Sequence, residues 1–120
     1  MKFYYNGKLM RTSKNHIYTH AVINERGGLI GCRANREAAE AIISAELSTL
    51  QRGLKNGEIK KKAIESGATR YRVSTGRISY WEPVRDTDTI ERCDEWIASR
   101  REKIEAVRNG WQIVELEARD

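Results

Sequence analysis

Three Asn-Gly pairs, Asn6-Gly7, Asn56-Gly57 and Asn109-Gly110, punctuate this chain, and they constrain what the residues on either side can become. Asn and Gly readily take φ > 0, so the pair either closes a tight hairpin or ends a helix. Asn6-Gly7 lies between the short runs Lys2–Tyr5 and Lys8–Arg11 and predicts a type I′ hairpin. Asn56-Gly57 follows Ala39, Ile43, Leu47, Leu50 and Leu54, an apolar stripe at helical spacing that opens at Asn35, a good N-cap. The pair predicts that this helix stops there. Asn109-Gly110 follows Ile90, Cys93, Ile97, Arg100, Ile104 and Val107, and predicts the end of a second helix. That helix opens at Asp88, with Glu91 three residues on completing a capping box.

The segments between these marks read as short strands. Thr12-Ser13-Lys14-Asn15 is a polar loop, Ile17–Asn24 a strand, Arg26-Gly27-Gly28 a turn and Leu29–Arg33 the partner strand. A short basic helix, Glu58–Glu65, ends at Ser66-Gly67, and a hairpin over residues 69–81 is closed by Pro83. Trp111–Glu117 alternates as a last strand, which completes the chain's own sheet or pairs across a dimer. The order ββ-ββα-α-ββα-β predicts an α+β fold, an antiparallel sheet covered by two long helices. A length of 120 residues suits one domain with one core, spanning residues 1–120. With 39% hydrophobic and 32% charged residues the surface is wet for the size of the core, which favours a dimer or higher oligomer.

The hairpin carries the most chemistry. Side chains alternate along a strand, so Tyr71 and Val73 face one way and Arg70 and Arg72 the other. With Thr75-Gly76 as a two-residue turn, Val73 pairs with Ile78 and Tyr71 with Tyr80 on a core face. The opposite face then sets Arg72 against Ser79 and Arg70 against Trp81, with Arg77 nearby. Guanidinium groups beside an exposed indole suit a ligand with phosphates and flat bases, and suit equally a solvated face with an Arg packed on a Trp.

Other cationic positions carry the same double reading. Arg100 interrupts the stripe of the second helix, as an anion clamp in a pocket or dimer seam or as a helix-edge residue with a buried stem. Arg108 in Arg108-Asn109-Gly110-Trp111 either faces a ligand or belongs to an ordinary C-cap. Arg11 and Lys14 flank a donor-rich loop that cradles a phosphate or is simply solvated. Lys60-Lys61-Lys62 is a wet helix face, or part of a nucleic-acid footprint. The formal net charge of +5 favours phosphate-bearing partners in moderation.

Catalytic and metal signatures are missing. The two cysteines, Cys32 and Cys93, form no C-x-x-C pair and fall on apolar stripes, so both are expected as buried free thiols. His16 and His20 have no Asp, Glu or Cys at metal-ligand spacing, and no Gly-x-Ser-x-Gly or Cys-His arrangement stands out. A non-enzymatic protein without metal or cofactor is the expectation. No apolar run approaches the roughly 18 residues of a membrane span, and the opening residues lack a signal-peptide core, which points to the cytoplasm.

The opening Lys2-Phe3-Tyr4-Tyr5-Asn6-Gly7-Lys8-Leu9-Met10-Arg11-Thr12-Ser13-Lys14, followed by Tyr18-Thr19-His20-Ala21-Val22-Ile23, resembles small phage-encoded proteins of the Thoeris anti-defence family. The similarity runs to about residue 35, with a weaker match at Ile113-Val114-Glu115-Leu116-Glu117. The resemblance implies a counter-defence protein that binds cyclic ADP-ribose signals made by bacterial TIR-domain enzymes and sequesters them without cleavage. It also implies cyclic oligonucleotides as a second ligand class in separate pockets, a homo-oligomer, and the host cytoplasm as the place of action. It assigns no contact residue here. A nucleic-acid-binding or anti-CRISPR-type inhibitor is the alternative, marked by a broad basic face and strong salt dependence.

Overall fold

Asn6 and Gly7 both take positive φ, 48° and 76°, as a type I′ turn requires. They join β1 (Lys2–Tyr5) to β2 (Lys8–Thr12), with Tyr5 opposite Lys8 and a bulge after Phe3. The computed structural model describes residues 1–120 as an α+β chain of eight strands and two helices. After β3 (His20–Ile23) and β4 (Leu29–Arg33) comes α1 (Arg36–Ser66), then β5 (Arg70–Ser74) and β6 (Ser79–Pro83), α2 (Ile90–Gly110), β7 (Gln112–Glu115) and β8 (Glu117–Arg119). The chain divides into two compact units, residues 1–46 with 105–120, and residues 47–104.

In place of one antiparallel sheet covered by two helices, the strands form three small sheets, ordered β2-β1-β8, β4-β3-β7 and β5-β6. The final segment is the reason for two of them. It breaks at Leu116, whose N–H donates to the carbonyl of Thr19 at 2.9 Å. Residues before the break pair with β3, and residues after it pair with β1. The single last strand expected over Trp111–Glu117 is thus two strands, and both complete the chain's own sheets.

The first unit closes over Phe3, fully buried with its ring edge-on to Tyr18 at 5.4 Å. Beside it Ala21, Ile23, Cys32 and Val114 form a buried cluster, with Tyr5, Met10, Tyr18 and Leu116 packed around it. Burial of Cys32 pushes its thiol pKa up, as for an inert apolar side chain. The strand expected from Ile17 starts only at His20, and Ile17 itself is exposed. Gly110 lets the end of α2 approach Glu25, whose Cβ would lie 2.5 Å from a Cβ added there. Trp111 follows and donates its indole N–H to Glu25 Oε2 at 2.9 Å.

Two helix boundaries differ from their sequence signals. Asn35 caps α1 as expected, its Oδ1 accepting the N–H of Ala38 at 2.8 Å. The helix does not stop at Asn56-Gly57; it continues through the segment read as a separate basic helix, so the α-α pair in the expected order is one helix. Its end is a Schellman motif at Gly67, φ 73°, with Ala68 N–H bonded to Ala63 O and Gly67 N–H to Ile64 O. The N-cap of α2 is Thr89, whose Oγ1 accepts the N–H of Arg92 at 3.2 Å, because the carboxylate of Asp88 is engaged elsewhere.

Candidate functional site

The second unit is built on one face of α1 that holds the β5-β6 hairpin. Arg52, Asn56 and Lys60 recur every four residues, so they stack along that face. The amide of Asn56 grips β5 as a neighbouring strand would. Its Nδ2 donates to Ser74 O at 2.8 Å, and Ser74 N–H donates to its Oδ1 at 3.1 Å. One turn back, the Arg52 guanidinium lies against Gly76, where an added Cβ would sit 2.8 Å from Arg52 Cζ. One turn on, the Lys60 ammonium sits 5.6 Å from the Tyr71 ring centre and 2.6 Å from Asp88 Oδ1.

The hairpin register differs from the two-residue turn. Ser74 pairs with Ser79, Val73 with Tyr80, Arg72 with Trp81, Tyr71 with Glu82 and Arg70 with Pro83, leaving Thr75–Ile78 as a four-residue loop. Only Gly76 has positive φ, 93°, and a β-branched Thr75 is a poor partner for the second φ > 0 of a type I′ turn. Ile78 is therefore off the strand and 64% exposed, and Tyr80 is exposed too, so the expected core face shrinks to Tyr71 and Val73. The shift is by two residues, an even number, so each side chain keeps its face.

The outer face consequently survives. Arg70 lies 4.7 Å and Arg72 5.4 Å from the ring centre of Trp81, which stays 52% exposed. Arg77 is exposed in the loop. Arg100 stands elsewhere in this unit. Its guanidinium covers Trp96 at 4.2 Å, its stem rests on Gly53, and its Nε is buried without a hydrogen-bond partner. The remaining candidates belong to the first unit. Arg11 is on β2 with its guanidinium 5.0 Å from the Tyr18 ring, while Lys14 and Arg108 are exposed, one after β2 and one in the last turn of α2. Ser13, between Arg11 and Lys14, has its N–H bonded to Met1 O at 3.0 Å.

On the inner side of the hairpin is a half-open cavity of about 390 Å³ that sequence reasoning missed. Its walls include Asn56, Lys60, Tyr71, Arg92, Cys93 and Trp96. Trp96 donates its indole N–H to Gly53 O at 2.8 Å and lies so close to Gly57 that an added Cβ would be 2.6 Å from its Cδ1. Burial alone would lower the pKa of Lys60, but the hydrogen bond to Asp88 and the neighbouring Tyr71 raise it on balance. Asp88 is held below the usual carboxylate range by Lys60 and by the N–H of Arg85, which it accepts at 2.7 Å. Burial raises the Tyr71 phenol and the Cys93 thiol. The wall residues span positions 53–96, and no local signal marks them, because Trp96 is brought against Gly53 and Gly57 only by the fold.

No group of three or more His, Cys, Asp or Glu side chains is arranged to hold a metal ion, and no helix is long and apolar enough to cross a membrane. Comparison with family models, curated proteins and solved structures finds no match to this chain.

Proposed function

We propose that this protein binds a cyclic nucleotide immune signal of the cyclic ADP-ribose class and sequesters it without cleavage, as a phage counter-defence protein acting in the host cytoplasm. The observation that carries the reading is the half-exposed Trp81 with the guanidinium groups of Arg70 and Arg72 over its ring. An adenine would compete for the open part of the indole, a contact worth about 1–3 kcal/mol by analogy with base stacking on aromatics. The two guanidiniums would turn to the pyrophosphate through charge-assisted hydrogen bonds. Arg77 in the adjoining loop would add a third cation. Cyclic oligonucleotides offer the same base and phosphate chemistry, and a homo-oligomer is the proposed working form.

The test is calorimetric titration with glycocyclic ADP-ribose, followed by chromatography of the ligand released on heat denaturation. Intact ligand recovered after tight binding supports sequestration; a cleaved product would make the protein an enzyme. Trp81→Ala should weaken binding by about 5- to 150-fold with little change in Tm, and unchanged affinity in that variant would remove the outer face from the account. Light scattering reports the oligomer directly.

The nucleic-acid alternative is the weaker reading. Two of the three lysines in its footprint are neutralised within the fold, Lys60 by Asp88 and Lys61 by Asp94, each at 2.6 Å.

A further inference from the structure

We infer that the cavity on the inner side of the hairpin is a second binding site, distinct from the Trp81 face, for a flat aromatic ring bearing one anionic group, as in a nucleoside monophosphate. Its volume of about 390 Å³ lies in the range of small-ligand pockets and at the lower end of it, which suits a mononucleotide. Two aromatic side chains, Tyr71 and Trp96, come to it from different elements, β5 and α2. Trp96 lines the cavity with its N–H satisfied by Gly53 and the Arg100 guanidinium 4.2 Å from its ring centre, and 45% of the residue is still exposed. A planar ring is the ligand part that gains most from such walls.

The charges fix the rest of the ligand. Three charged side chains line the cavity, Lys60, Asp88 and Arg92. Lys60 and Asp88 neutralise each other. Arg92 is engaged by no carboxylate in the fold; the salt bridges of this unit join other residues. The lining thus carries one uncompensated positive charge on a planar fork that matches a phosphate. Thr89, also in the wall, uses its hydroxyl oxygen as an acceptor for the N–H of Arg92, so its O–H proton is available to the same anion. One free cation balances one anionic group, in contrast to the several on the outer face.

The experiment titrates the intact protein with adenosine 5′-monophosphate, adenosine and inorganic phosphate separately, following tryptophan fluorescence and heat. The expected result is saturable binding of the monophosphate at one equivalent per chain, with adenosine and phosphate each much weaker. Arg92→Gln, at an exposed position, should weaken the monophosphate by about tenfold at unchanged Tm. Arg92→Lys should restore part of that loss. Trp81→Ala should leave monophosphate binding intact, which separates this site from the outer face whatever becomes of the signal-binding reading. The inference is overturned by no binding at millimolar monophosphate, by adenosine binding as tightly as its phosphate, or by loss of binding in Trp81→Ala with Arg92→Gln unaffected.

Discussion

Gly57 and Asn56 show how much tertiary structure two neighbouring residues can carry. A methyl group at position 57 would sit 2.6 Å from Trp96 Cδ1 and 3.2 Å from Ile97 Cγ1, and the indole is tethered by its bond to Gly53. Gly57→Ala should gain helix propensity and still lose roughly 1–3 kcal/mol to overpacking, a net fall in urea midpoint. Asn56→Ala would leave the N–H and C=O of Ser74 without partners, an expected loss of about 1–3 kcal/mol. Its distinguishing mark is faster amide exchange confined to β5 and β6, which chemical denaturation followed by hydrogen exchange would read. Equal exchange in the variant and the parent would mean that water replaces the amide without loss. Neither role could be found from residues 50–60 alone, because Trp96 and Ser74 are brought there by the fold.

Among the elements, the connection between β6 and α2 is held by Asp88, which accepts from Arg85 and pairs with Lys60 on α1 while only 11% of its side chain is exposed. Its folded pKa lies below the unfolded value. The stabilisation is therefore complete above the ordinary range of a free Asp and is lost as pH falls through the depressed folded value. Acidification below about pH 4 should lower the denaturation midpoint, and Asp88→Asn should flatten that limb. An unchanged acid limb in the variant would assign it to other carboxylates. The elements were legible where a signal is local. The Asn6-Gly7 turn, the Asn35 cap, the Ser66-Gly67 stop and the buried stripe Cys93, Ile97, Ile104, Val107 all stand as the residues indicated. The failures share a cause. Asn56-Gly57 resembles a stop, Asp88 resembles a cap and Thr75-Gly76 resembles a tight turn, yet each is claimed by a partner remote in sequence or barred by one unfavourable φ. The Arg70, Arg72 and Trp81 face was nonetheless legible, since a slip of two residues preserves sides. The inner cavity was not, because its walls come from four elements or connections.

At the scale of the molecule, the net charge of +5 lies mostly in the second unit, and much of the basic run on α1 is internally paired. Binding of a compact messenger with a few phosphates should weaken only shallowly with salt, whereas a duplex contacting many cations would lose affinity by orders of magnitude between 50 and 200 mM, on the order of 10³ or more. Affinity for the proposed messenger, measured across that range, decides which describes this surface. The hairpin adds one more consequence. It is hung from α1 by Arg52 against Gly76, Asn56 on the backbone edge of Ser74 and Lys60 beside Tyr71, none of which is one of the exposed Arg70, Arg72 and Trp81. Attachment and display thus reside in separate sets of residues. Substitutions at the three displayed positions should therefore shift Tm far less than substitutions at Arg52, Asn56 or Lys60, so the outer face can change its chemistry while its anchor stays put.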